Sequence, residues 1–404
     1  MKLRRALAAL VALELLLALY LWAPRQPTPA PRVERPVAPE IEERHFLTVR
    51  VLDPEGRVTE KTFETRSFVW SFVLAARMAS PWRTVPSGSF DYYYFCSLIS
   101  QPTPDAANYF LYANGTPVSA GAFTMYFRTP CYRAYWTPVY GDPLTPAVVV
   151  LGSGSSPDGG RHLGSPLGVS AVPSVSYGYN DVWFNVTVAA TFSFSQSATV
   201  SEAALLVYAM RSSAIEDAVP YYLVLVYDSF PAVSVPAGGS LTVQWTFAWK
   251  DNGAFTENWG KLWQYALLST VTYAGPWGQH KTTVTFVNAS GLPCSMPFPP
   301  QSKSGLPAGL LELAWGTGTS PMSRSFYRLE RETGGAGTVS ISFFGGGVGG
   351  FALGGGVGPG TEIGLYWRAM NFTGQECRVL LMRWVPGYTV PAGTPINIYV
   401  ARGG

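Results

Sequence analysis

Charge is scarce in this chain: 13% of its 404 residues are Asp, Glu, Lys or Arg, and the formal net charge is +3. Such a balance offers no basic stripe for a phosphate backbone, so nucleic acid is not an expected partner. Histidine is scarcer still. His45, His162 and His280 are the only three, each far from any cysteine, whereas a zinc site needs its ligands closely spaced. Neither a metal nor a cofactor is expected. The four cysteines, Cys96, Cys131, Cys294 and Cys377, contain no Cys-x-x-Cys pair. An even number suits two disulfides in an oxidising compartment, with their connectivity open.

What is abundant is apolar or turn-forming: 47% hydrophobic residues, 42 Gly and 33 Pro. That excludes a disordered, highly charged chain, and the length allows two or three domains.

Residues 1–5 carry Lys2, Arg4 and Arg5, and residues 6–23 are an apolar run broken only by Glu14. Eighteen apolar residues are about the minimum for a membrane-spanning helix, with the basic flank on the cytoplasmic side. Pro24 disfavours cleavage, so an uncleaved anchor is expected rather than a removed signal. A lesser alternative is a pilin-like start, with Glu14 inside the apolar helix. Prolines 24, 27, 29, 31, 36 and 39 make residues 24–45 a semi-rigid spacer. Four Asn-x-Ser/Thr sequons, at Asn114, Asn185, Asn288 and Asn371, suit an exported, N-glycosylated surface, although Pro117 disfavours the first.

The rest of the chain repeats itself. Val150-Leu151-Gly152-Ser153-Gly154-Ser155-Ser156-Pro157 is answered by Ala314-Trp315-Gly316-Thr317-Gly318-Thr319-Ser320-Pro321, and Ser201-Glu202-Ala203-Ala204-Leu205 by Thr361-Glu362-Ile363-Gly364-Leu365. Val224-Leu225-Val226 through Val235-Pro236-Ala237-Gly238 matches Val379-Leu380-Leu381 through Val390-Pro391-Ala392-Gly393. Each copy opens on a short amphipathic helix, lined by Phe68, Phe72, Ala75 and Ala76 in the first and by Trp259, Trp263, Ala266 and Leu267 in the second. Period-two alternation predicts strands over 183–194 and 241–247, and the apolar run 222–227 predicts a strand buried on both faces. The expected fold is mainly β: two tandem β-sandwich or jelly-roll-like modules, 46–249 and 250–404, each with one short helix, behind the membrane helix.

This order of helix, Gly-x-Gly-x-Ser-Pro, Thr/Ser-Glu-x-x-Leu, apolar strand and Val-Pro-Ala-Gly resembles repeats of phage tail-fibre and related virion or cell-surface fibre proteins. The resemblance implies an oligomeric, extended structural or host-contact protein without catalysis. A membrane anchor departs from the bacteriophage pattern and points to an enveloped archaeal-type virion or a cell-surface appendage.

Residues 345–350 fit Gly-x-Gly-x-x-Gly, but a dinucleotide site needs a helix directly afterwards, and more glycine follows. A glycine-rich strand or loop is expected there. Glu202 and Glu362 occupy matching places in separate copies, without a second carboxylate nearby for glycoside hydrolysis. They are expected to accept hydrogen bonds at a strand entrance. A Ser153, Asp158 and His162 group is too compressed for a triad. Tyr92, Tyr93, Tyr94, Tyr109, Tyr112, Tyr132, Tyr135, Trp136 and Tyr140 form the candidate binding surface, since clustered Tyr and Trp suit a sugar or protein receptor. Partners are then other copies through β-edges, the membrane, and a cell-surface receptor or glycan. The alternative is a carbohydrate-binding or carbohydrate-cleaving ectodomain.

Overall fold

The computed structural model describes residues 41–65, 67, 111–117, 143–144, 147–157, 159–211, 220–272, 279–282, 284–296, 310–338, 340–343 and 350–401. The apolar run 6–23 and the first expected helix lie outside them. No helix among the described residues is long and apolar enough to cross a membrane.

The strands are β1 (Glu42–Leu52), β2 (Val58–Thr65), β3 (Pro143–Leu144), β4 (Ala147–Gly152), β5 (Pro166–Ala171), β6 (Ser174–Tyr179), β7 (Trp183–Ser193), β8 (Ala198–Arg211), β9 (Pro220–Val235) and β10 (Ser240–Lys250). The one α-helix among the described residues, α1 (Glu257–Leu268), follows. Then come β11 (Thr270–Thr272), β12 (Gln279–Lys281), β13 (Phe286–Val287), β14 (Pro293–Cys294), β15 (Leu310–Gly316), β16 (Glu332–Thr338), β17 (Ser340–Phe343), β18 (Gly350–Val357), β19 (Glu362–Met370), β20 (Glu376–Trp384) and β21 (Thr394–Ala401). The chain is thus mainly β, and every paired strand is antiparallel. β1 starts at Glu42, so the last residues of the stretch expected as spacer are strand.

Alternation builds the first large sheet, ordered β2-β1-β10-β7-β6. In β7, Phe184, Val186, Val188, Ala190 and Phe192 are buried while their neighbours are not. That is the period of a half-buried strand. This face packs on the sheet β5-β4-β8-β9, so that Leu47, Val49, Val188 and Trp245 share a core with Val149, Leu151, Leu205 and Val226. Two sheets meeting this way form a sandwich. β4 is buried on both sides because Leu111 and Leu163 cover Val148 and Val150 on its outer face, beside Leu206 of β8.

The second half contains the sheets β16-β15-β19-β20 and β17-β18-β21. Its first sheet follows the order of β5-β4-β8-β9. Gly152 pairs with Glu202 as Gly316 pairs with Glu362, and Gly152 opposes Pro166 as Gly316 opposes Glu332. Even the irregularities agree. A register shift falls between Leu205 and Leu206 against β9, and another between Leu365 and Tyr366 against β20. The glycine-rich stretch continues into a strand, β18, not a helix.

Helix α1 lies between the halves. Trp263 packs on Phe247 and Trp249 of the first half, while Tyr265 packs on Phe286 and Trp367 of the second. The expected stripe of Trp259, Trp263, Ala266 and Leu267 is therefore too narrow. Of that stripe Trp259 and Leu267 are buried while Trp263 and Ala266 are half-buried, and Asn258, Gly260, Leu262 and Tyr265 are buried too, because sheets press on the helix from two sides.

Candidate functional site

The two repeated glutamates are the most developed polar sites among the described residues. Glu202 enters β8 fully buried. Its Oε1 accepts from the N–H groups of Gly154 (3.1 Å) and Ser165 (2.9 Å), and its Oε2 from the Gly164 N–H (3.0 Å) and the Tyr227 hydroxyl (3.0 Å). Glu362 is built alike on β19. Its Oε1 accepts from Gly318 (3.1 Å) and Arg331 (2.7 Å), and its Oε2 from the Glu330 N–H (3.0 Å) and Arg383 Nε (2.9 Å). The residue just before each glutamate ties the same loop: Ser201 Oγ donates to Gly154 O and Thr361 Oγ1 to Gly318 O.

Glycine is required by this packing. A Cβ on Gly152 would run into the Glu202 carboxylate, and one on Gly318 would stand 2.6 Å from that of Glu362. The Gly-x-Gly turn and the glutamate are therefore one device, in which a buried carboxylate neutralises a loop's unpaired donors. Chemically this is a closed arrangement. Each carboxylate uses both oxygens on its own loop, and the two glutamates share no partner.

The fourth partner differs. Tyr227 accepts from the Ser156 N–H at 2.6 Å, and burial between this contact and Glu202 pushes its phenol well above the ordinary range. Arg383 takes its place on β20, donating from Nη1 to the Ser320 carbonyl at 3.1 Å and lying over the Phe326 ring at 4.2 Å.

A second arrangement joins two hairpins. Cys294 at the end of β13–β14 is bonded to Cys377 at the start of β20, with Cα atoms 6.2 Å apart. Asn288 and Asn371 open the turns just upstream. Cys96 and Cys131 lie outside the described residues.

Two buried polar sites carry no repeat signal. Asp228 on β9 accepts from Trp245 Nε1 at 2.8 Å. Burial raises its pKa to about 6, opposed by hydrogen bonds from Ser67, Trp245 and Thr65 and by the charge of His45. Asp251, after β10, receives both Nη1 (2.7 Å) and Nη2 (2.6 Å) of Arg324 and the Phe255 N–H (2.6 Å). Neither residue stands in a spaced motif, so no pattern pointed to them.

Of the aromatic set, Tyr112 alone is described. It is half-buried, and its N–H donates to Thr116 O at 2.9 Å. Tyr92, Tyr93, Tyr94, Tyr109, Tyr132, Tyr135, Trp136 and Tyr140 lie outside the described residues, as does Asp158. Ser153 Oγ points to Ser165 Oγ at 3.4 Å. Among the described residues no cluster of His, Cys, Asp and Glu is arranged to hold a metal. No family model, curated protein or solved structure matches the chain.

Proposed function

We propose that the chain is a non-enzymatic, membrane-anchored extracellular protein that builds or decorates a fibre or virion surface. Two tandem β modules, 46–249 and 250–404, are displayed on the Pro-rich spacer, and the module plan is a duplicated sandwich with a Glu-anchored loop in each copy. The observation that carries this reading is the use of Glu202 and Glu362. The pair with the most enzyme-like placement in the sequence is spent on backbone N–H groups, which is the chemistry of a scaffold. The Cys294–Cys377 bond supports an oxidising compartment.

Self-association through sheet edges would use β5 and β16. The edge of β9 is occupied by Ser67 and Leu111, and that of β20 by Ala254, Thr256 and Ala289. β2 sets Lys61 opposite the core residue Val49, an inward lysine that discourages strand addition.

Immunogold electron microscopy of the producing culture, with envelopes and released particles separated, tests the reading. Label along fibres or on particles is expected. Label spread evenly over cell membranes, or confined to the cytoplasm, overturns it.

A further inference from the structure

The segment Asn288-Ala289-Ser290-Gly291-Leu292-Pro293-Cys294 has the same plan as Asn371-Phe372-Thr373-Gly374-Gln375-Glu376-Cys377. Both read Asn-x-Ser/Thr-Gly-x-x-Cys, and their two cysteines are bonded to each other. The backbones agree in detail. Asn288 N donates to Leu292 O and Gly291 N to Asn288 O, as Asn371 N donates to Gln375 O and Gly374 N to Asn371 O. Gly291 and Gly374 hold positive φ values of 78° and 75°. Each Asn Oδ1 turns back into its loop: Asn288 accepts from the N–H groups of Ser290 and Leu292, and Asn371 from those of Thr373 and Gln375 and from Thr373 Oγ1 at 2.8 Å. The tips are open to solvent, with Leu292 60% and Phe372 51% exposed.

The turn itself does not require the hydroxyl. Asp53 opens the same five-residue hairpin, with Asp53 N to Arg57 O, Gly56 N to Asp53 O and Arg57 N to Asp53 Oδ1, and its third residue is Glu55. A turn-former at the first position and glycine at the fourth are enough. The Ser290 and Thr373 hydroxyls are therefore not needed to close the turn, although Thr373 Oγ1 does donate to Asn371 Oδ1, and they complete the acceptor sequence for N-linked sugar.

We propose that Asn288 and Asn371 are a pair of N-glycosylation sites, mounted side by side by the disulfide, and that Asn185 is not modified. The inference rests on the exported reading above. In the reaction, the Nδ2 amide nitrogen bonds to the anomeric carbon of a polyprenyl-phosphate-linked oligosaccharide. The sugar's bond to the phosphate oxygen breaks, the lipid phosphate leaves with that electron pair, and one amide proton passes to a base of the transferase. Oδ1 is held by the loop while Nδ2 has no hydrogen-bond partner among the described residues, so the nitrogen is presented. Asn185 differs. It sits within β7 between Gly178 and Ala248, and in an extended strand the Thr187 hydroxyl is carried roughly 6–7 Å along the same face. Asn114 shares the Oδ1 contact with Thr116 but precedes Pro117 and is not one of the pair.

Peptide mass mapping of the full chain from its producing cells tests this, with protease accessibility and the redox state of Cys294 and Cys377 measured alongside. Saccharide mass is expected on the peptides holding Asn288 and Asn371 and not on that holding Asn185. Thr373→Val, which keeps both backbone donors to Asn371, should strip sugar from Asn371 alone, and Thr373→Ser should restore it. Unmodified Asn288 or Asn371 in a chain that is oxidised and exposed outside overturns the pair while leaving the exported reading standing. Reduced cysteines with full protection from protease overturn both. Sugar on Asn185 overturns the selection.

Discussion

Glu202 and Glu362 accept three backbone N–H groups each and differ in the side chain that completes the set. Glu362→Gln turns an NH2 toward N–H donors and leaves Arg383, 1% exposed, with only the more distant Glu330 carboxylate at 3.7 Å, a change expected to cost about 3 kcal/mol. Glu202→Gln faces a neutral Tyr227 and should cost less, about 2–3 kcal/mol. Denaturation midpoints of the two variants check the order, and equal losses would contradict it. Asp228 gives a pH signature. Its folded pKa of about 6 lies above the ordinary unfolded value near 4. Its contribution is therefore fully present below pH 4 and lost as pH rises through 6. Asp228→Asn retains an acceptor for Trp245, so it should gain about 2–3 kcal/mol on wild type between pH 4 and pH 7. Stability measured across that range would show parallel curves if Asp228 were already charged at no cost. The glutamates were legible because the loop they anchor forces glycine beside them, and so leaves a double imprint. Asp228 leaves none: burial of a lone aspartate is decided by β1, β2 and β10, which are distant in the chain.

At the scale of elements, α1 shows where a local rule is overruled. Glycine inside a helix normally costs about 1 kcal/mol against alanine, so Gly260→Ala should stabilise an isolated α1. In the fold, a Cβ at that position would run into the Tyr177 ring on β6, and Gln264 Nε2 anchors the helix to Val175 O at 3.0 Å. Overpacking of this kind costs roughly 1–3 kcal/mol, and the sign should reverse. A lower melting temperature for Gly260→Ala supports the close approach; a higher one refutes it. The helix's existence was readable from its apolar spacing, and the strands β7 and β10 from alternation. The width of the buried stripe was not, because periodicity reports one face and α1 is covered on two. Disulfide pairing was equally hidden. The Asn-x-Ser/Thr-Gly-x-x-Cys echo was present in the chain, but only the adjacency of the two hairpins shows that its cysteines meet.

Over the whole molecule, residues 37–404 behave as one compact unit, although the strand plan occurs twice. The reason lies in what crosses between the halves. Arg324, in the loop between β15 and β16, sends its guanidinium to Asp251 behind β10, bonds to Asn180 O (3.0 Å) and Phe255 O (3.1 Å), and covers the Phe184 ring at 5.1 Å. Within the second half, Thr256 Oγ1 donates to Leu380 O at 2.6 Å and ties the approach to α1 onto β20. The paired side chains are 5% and 0% exposed, so neither charge has water to fall back on. Removing Arg324 alone should therefore cost roughly 3–5 kcal/mol, since a buried carboxylate is left uncompensated. Arg324→Met paired with Asp251→Asn should recover much of that loss, because the amide can still accept from Phe255 N without carrying a charge. Wild type is expected to melt in a single calorimetric transition, and Arg324→Met to separate the halves into two, with the double variant returning toward one. If Arg324→Met melts in one transition at the wild-type temperature, the buried pair contributes nothing to the coupling of the halves, which then rests on α1 and the apolar core they share.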